Sequence, residues 1–160
     1  MGKTKKNKKP DNVIVQNRKA RFDYEILDTF EAGLVLTGSE VKALREGKGN
    51  INEAYAVVTG GELWLLNASI APYSNASTHQ MHEERRTRKI LMHKKEIQYL
   101  SDQREKDGLT LVPLQLHWKR GKVKVLVGVG KGKKKFDKRE TIKRREWGRQ
   151  QRAMLKHKVR

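Results

Sequence analysis

The stretch that most limits what this chain can become is Leu109 to Arg139, LTLVPLQLHWKRGKVKVLVGVGKGKKKFDKR. Val112, Leu114, Leu116 and Trp118 recur at every second position, and after Lys119-Arg120-Gly121 the residues Val123, Val125, Val127 and Val129 do the same. Alternation on both sides of a short polar break predicts a β-hairpin with one buried face. From Gly128 the pattern reads as dissolving, because alternating glycines weaken a strand and the lysines at 131, 133, 134 and 135 are costly to bury. A core element thus passes straight into a cationic tail, as in a small folded body that presents a basic segment to a polyanion.

The charge distribution supports that division. Residues 1–10 hold five lysines and no acid, while residues 131–160 hold 14 Lys and Arg against Asp137, Glu140 and Glu146. Of the formal +19, only +3 is left for residues 11–130. The sequence therefore predicts a basic disordered arm over 1–12, one folded domain over 13–130 and a basic tail over 131–160. No apolar run follows the basic N-terminus for long enough to make a signal peptide, and none approaches the length of a membrane span. The absence of cysteine leaves no disulfide framework or thiolate metal site, which fits a cytoplasmic protein.

In chain order, Phe22, Tyr24 and Ile26 are spaced by two and predict a strand beginning in Asn17–Ile26 and continuing to Leu36, with a turn or bulge at Glu31-Ala32-Gly33. Thr37-Gly38-Ser39-Glu40 is a capping-box pattern, followed by Val41, Leu44 and a closing Gly47, so a two-turn helix is expected. Ala54–Val58 and Glu62–Ala71 around Thr59-Gly60-Gly61 read as a second hairpin. Residues 73–89 are polar, long for a connection and end in Arg85-Arg86-Thr87-Arg88-Lys89. A second helix is expected from His93 to Lys106, with Ile97, Leu100 and the stem of Tyr99 facing inward. Several strands with helices too short to sandwich a sheet predict a β-dominated fold: a small OB-like antiparallel barrel with two to three flanking helices and basic terminal tails. A curved barrel face of this kind suits structured RNA.

Catalytic readings find little support. Gly128, Gly130 and Gly132 lack the spacing of a phosphate-binding Walker loop. His79, His82 and His93 have no defined ligand spacing, and no nucleophile stands beside an evident base. A non-catalytic monomer without metal, cofactor or membrane is expected. Two other binding readings stay open: a ribosomal or ribosome-assembly protein whose basic extensions thread rRNA, and a single-strand-binding OB module, which the scattered aromatics disfavour.

Four separated segments, NRKARFDYEI (17–26), FEAGLVLTGSEVKALR (30–45), RTRKIL (86–91) and GKGKKKFDKR (130–139), resemble in the same order those of the SmpB family, the SsrA-binding small proteins of bacteria. The resemblance implies an OB-like barrel that binds the tRNA-like domain of transfer-messenger RNA (tmRNA, or SsrA). It implies entry into stalled ribosomes with alanyl-tmRNA, elongation factor Tu and GTP, for trans-translation: ribosome rescue and tagging of nascent chains. It further implies a tail that is disordered in the free protein and helical in the empty mRNA channel near the small-subunit decoding centre.

The same resemblance places Asn17, Glu31 and Leu91 against the tmRNA elbow. The amide of Asn17 both donates and accepts, so it can read a base edge or a 2′-hydroxyl; an Asx turn or a cap at a strand start is the competing role. Arg18, Lys19 and Arg21 beside it are candidate RNA contacts as well. Glu31 repels phosphate and can only accept hydrogen bonds, so its value would lie in specificity, against the alternative of an exposed turn residue paired with a cation. Leu91 could equally be core. Arg86, Arg88 and Lys89 are candidate phosphate ligands or a solvated loop. In the tail, Lys131, Lys133, Lys134 and Lys135 would neutralise backbone, Phe136 would stack beside Asp137-Lys138-Arg139, and Ile142, Trp147, Met154 and Leu155 would be the apolar anchors of a helix formed on binding.

Overall fold

The computed structural model describes residues 12–73, 82–133 and 135–158, with the side chains at 106–107, 135–138, 140–141 and 154–158 outside that description. In chain order the elements are β1 (Val13–Gln16), α1 (Arg18–Asp23), β2 (Tyr24–Leu34), α2 (Gly38–Arg45), β3 (Gly49–Asn50), β4 (Tyr55–Thr59), β5 (Glu62–Leu66), β6 (Ser69–Ile70), β7 (Arg88–Leu91), α3 (Lys94–Asp107), β8 (Thr110–Lys119), β9 (Lys122–Gly132) and α4 (Lys135–Lys158).

The strands close on themselves. Antiparallel pairings run β8–β4–β5–β7–β2–β9, and β9 pairs with β8 again, giving an OB-like barrel of six strands. β1 adds to β8 beyond the end of β4, with Gln16 opposite Gln115, and β3 pairs with β6 in a separate ribbon. Closure leaves no long edge among the barrel strands, which protects a lysine-bearing sheet from pairing with other chains. The interior is filled by Leu44, Leu63, Leu65, Ile90, Leu100, Leu111, Val125 and Val127, all essentially inaccessible. Val123 and Val129 complete the inward face of β9 expected from the alternation.

On β8 the expected phase is broken. The register shifts between Pro113 and Gln115, so Leu111 and Leu116 enter the main core while Val112 and Leu114 pack with Ala20 in a second, smaller core on the outer wall. A bulge moves a strand's side chains to the other face, and a proline without an amide donor is a natural place for one.

That outer core corrects two further expectations. Residues 18–23 form a helix rather than the start of a strand, which begins at Tyr24. Ala20 of α1 caps Val112 and Leu114, with Tyr24, Ile26 and Leu126 around them. Gly128 and Gly130 of β9 are buried parts of the same packing: a Cβ on Gly128 would sit 2.9 Å from Leu114 Cδ1, and one on Gly130 would sit 2.9 Å from Tyr24 Cβ. Strand β9 therefore does not dissolve at Gly128. It continues to Lys131, opposite Glu25, and Gly132, opposite Tyr24, so these two residues belong to the sheet.

The helices follow sequence signals more closely. Thr37 caps α2 by accepting from Glu40 N while the Glu40 carboxylate accepts from Thr37 N at 2.9 Å, the reciprocal capping box. Helix α3 buries Ile97 and Leu100 and rests the Tyr99 ring against Phe30, with centroids 5.9 Å apart. The second hairpin is shorter than expected, because β5 ends at Leu66 and the chain turns at Asn67 with φ 59° before β6.

Candidate nucleic-acid interface

The outward-facing residues of β2, β7, β8 and β9 form one wall of the barrel. Register places Gly33 of β2 opposite both Leu91 on β7 and Lys124 on β9, and Lys124 opposite His117 on β8. Glu31, two residues before Gly33 and on the same face, lies opposite Leu126, which in turn lies opposite Gln115. The fold thus gathers Glu31, Leu91, Lys124 and His117, which sequence separates widely, on one surface.

Leu91 is 52% exposed, which removes the alternative that it is core. Two clefts meet at Gly33, Leu91 and Lys124. One, of about 260 Å³, runs past Leu36, Val41 and Trp118, while the other, of about 450 Å³, includes Glu31, His93 and Glu96.

Glu31 is held from behind. Its Oε1 accepts from Lys119 Nζ at 2.8 Å and its Oε2 from His117 Nε2 at 3.1 Å. The Lys119 ammonium first, and the His117 ring second, keep its carboxyl below the ordinary carboxylate value. Glu31 is therefore an ionised acceptor at neutral pH. His117 is almost fully buried, and its Nδ1 lies 3.3 Å from Gln115 Nε2. Both ring nitrogens are thus engaged, Nδ1 by Gln115 and Nε2 by Glu31, which fixes the orientation of the imidazole.

Other expected contacts are committed elsewhere. Asn17 is only 2% exposed: its Oδ1 accepts from Ala20 N as the cap of α1, and its Nδ2 donates to Ile51 O and Pro113 O, each at 2.9 Å. Both its donors are consumed, so the reading of Asn17 as a base-edge or ribose contact is corrected to that of a helix cap tying α1 to the barrel. Arg18 and Arg21 remain exposed on α1, and Lys19 pairs with Glu53 at 2.5 Å.

Arg88 is corrected more sharply. Its guanidinium is inaccessible, pairs with the equally buried Glu40, and donates to Ala68 O and Arg86 O as well as to the carbonyls of Glu83 and Glu84. A phosphate cannot reach it. Arg86 binds the other oxygen of Glu40, and burial of Glu40, which raises its pKa, is outweighed by the bonds from Arg86, Thr37 and Arg88, leaving its carboxyl below the ordinary value. This is a structural pair of cations on one buried carboxylate. Lys89 pairs with Glu62 at 3.0 Å on the outer side of β7, two residues from Leu91.

In the tail, Lys131 is an exposed strand residue, Lys133 donates its backbone amide to Asp23 O at 2.9 Å, and Arg139, Ile142 and Trp147 are exposed along α4. Arg145 of α4 covers the Phe22 ring at 5.8 Å. Lys134 lies outside the described residues, as do the side chains of Lys135, Phe136, Asp137, Lys138, Met154 and Leu155. His79 also falls outside them, and among the described residues no group of three His, Asp or Glu side chains is placed to hold a metal ion. No helix among the described residues is long and apolar enough to cross a membrane.

Sequence reasoning missed His117, Lys119 and Lys124 as parts of this wall. Their signal was available: positions 117 and 119, and 122 and 124, carry polar groups out of phase with the inward valines.

Comparison with known proteins gives the same direction. The family model described as SmpB protein matches residues 14–157. The chain belongs to the SmpB family. An SsrA-binding protein of Alkalilimnicola ehrlichii is 52% identical over 156 residues, covering 98% of both chains. One from Trichormus variabilis is 55% identical over 143 residues, covering 89% of this chain and 92% of its own. A solved structure described as "tmRNA-SmpB: a journey to the center of the bacterial ribosome" matches with TM-score 0.63 and 48% identity, covering 76% of this chain and 85% of that one. The family model spans the barrel and nearly all of α4, so SmpB relatedness extends to the basic tail as well as the folded body.

Proposed function

We infer that this chain is an RNA-binding adaptor: it binds the tRNA-like domain of tmRNA and delivers it to stalled ribosomes for trans-translation. The observation that carries the reading is alignment over nearly the whole chain, at about half identity, with proteins named for binding SsrA RNA. The adaptor has no chemistry of its own; elongation factor Tu with GTP accompanies it indirectly, through alanyl-tmRNA. The wall bearing Glu31, Leu91 and Lys124 is the proposed tmRNA surface, with Lys89, Arg18 and Arg21 at its margins supplying charge to phosphates. Asn17 and Arg88 act through the fold, holding α1 and the approach to β7.

The basic tail is proposed to probe the vacated mRNA channel of the small subunit. Lys131 at the strand end and the cations of α4 approach the RNA backbone there. The helix exposes Ile142 and Trp147 and leans on the body through Arg145 and Phe22, so it has little apolar support of its own. Such a helix is marginal until a polyanion removes its self-repulsion. A free peptide of residues 134–160 should give a largely unfolded circular dichroism spectrum that turns helical on a polyanion; a stable helix in buffer would defeat this.

Truncation after Lys133 spares β9 and gives the decisive experiment. The shortened chain should bind folded tmRNA within about threefold of the full chain yet support no tagging in a reconstituted stalled-ribosome assay. Loss of both would put the tail in the primary RNA grip. Sequencing of RNA bound to the full chain from bacterial lysate should return chiefly tmRNA; salt-resistant retention on one ribosomal subunit would instead make it a ribosomal component. The logarithm of affinity should fall with the logarithm of salt, by about 0.7 per phosphate neutralised for single-strand contacts.

A further inference from the structure

The 450 Å³ cleft beside Leu91 has a charge pattern unsuited to phosphate, because Glu31 and Glu96 face it along with the single ammonium of Lys124. A ligand that enters must offer hydrogen-bond donors to a carboxylate. Glu31 is built to receive them. Each of its oxygens already accepts one bond from the protein, from Lys119 and from His117, and a carboxylate has about four lone-pair sites in all. One acceptor direction per oxygen therefore remains, and at 37% side-chain exposure these are open to a ligand. The two protein donors also fix the plane of the carboxylate, His117 being itself buried and held by Gln115.

We propose that this cleft reads the Watson–Crick edge of one unpaired guanine in the bound RNA. Glu31 accepts from guanine N1–H and N2–H, and Lys124 donates to O6. Guanine is the one common base whose Watson–Crick edge has two adjacent donors; adenine and cytosine each turn a ring-nitrogen acceptor toward the carboxylate, and uracil offers a single N–H between two carbonyls. Leu91 supplies an apolar surface for the base. Gly33 keeps the floor open, since a Cβ there would lie 3.2 Å from Leu91 Cβ and 3.7 Å from Lys124 Nζ. Glu31 thus determines specificity, with His117 and Lys119 as its positioning residues.

The contact presupposes that the chain binds tmRNA, and the two ideas fail separately. Each unpaired guanine of a synthetic tRNA-like domain is replaced singly by inosine, which lacks the N2 amino group, and Kd is measured for the full chain and for Glu31→Gln. One position should weaken the unsubstituted protein about fivefold to tenfold and Glu31→Gln by less than about twofold, as expected for one lost arm of a bidentate base contact. Lys119→Ala, which frees one carboxylate oxygen, should shrink the inosine effect at that same position. If the unmodified RNA binds tightly but every inosine costs both proteins equally, the guanine contact is wrong and the tmRNA reading stands. If the RNA does not bind at all, both are wrong.

Discussion

Two carboxylates in this barrel are each gripped by two side chains, and they do opposite things. Glu40 has no exposed surface and is held by Arg86, Arg88 and the Thr37 amide; Glu31 keeps 37% of its side chain in solvent and is held by Lys119 and His117. In the first case every charge is consumed by the fold, and the pair anchors α2 to the segment entering β7. In the second, the partners lie on one side and leave acceptors facing outward. Ionic partners alone therefore do not separate a structural acid from a recognising one. The number of lone pairs left in reach of solvent does.

Removing the carboxylate at each site should separate them most widely. Glu40→Gln leaves two arginines without their anion, one of them inaccessible, and should cost about 3–5 kcal/mol in denaturant unfolding; a loss below about 1 kcal/mol would mean that the corner relaxes and hydrates. Arg88→Met should come next, at about 2–4 kcal/mol, because it leaves Glu40 with one cation and the carbonyls of Ala68, Glu83 and Glu84 short of a donor.

Acid sharpens the same contrast. Both carboxyls are held below the ordinary 4.5, so the unfolded chain binds more protons than the folded one as pH falls. Their contribution is present above pH 4.5 and is lost as pH drops through the lower folded values. Melting temperature should therefore decline below about pH 4.5, and more gently in Glu40→Gln than in Glu31→Gln, since a solvent-exposed pair contributes little. The smallest stability effect belongs to Glu31→Gln itself, about 0–1 kcal/mol at neutral pH, accompanied by weakened tmRNA binding. A large loss of stability there would erase the distinction.

Local signals were the most legible in sequence. The capping box at Thr37 and Glu40, the inward valines of β9 and the inward Ile97 and Leu100 of α3 all depend on residues a few positions apart. The second task of Glu40, pairing with Arg86 and Arg88, depends on residues 46 and 48 positions away and was hidden. Likewise His117 and Lys119 reach Glu31 across 86 and 88 positions. Alternation at Phe22, Tyr24 and Ile26 suggested a strand where α1 forms, because the Asn17 cap, which receives Ala20 N, outweighed it. On β8 the bulge after Pro113 shifted half of a correctly located strand to the other wall.

The small outer core has a mechanical consequence for the tail. Ala20 sits on Val112 and Leu114, Tyr24 presses on Gly130, and Asp23 O takes the amide of Lys133, so α1 braces the point where the chain leaves the sheet. At ~1.5 Å per residue the 24-residue α4 is roughly 36 Å long, and a tilt of ~10° at its base sweeps the far end through about 6 Å. Packing beneath a six-residue helix is in this way geared up into the aim of a 24-residue boom, and a methyl group added at Gly130, which would meet Tyr24, presses on that brace.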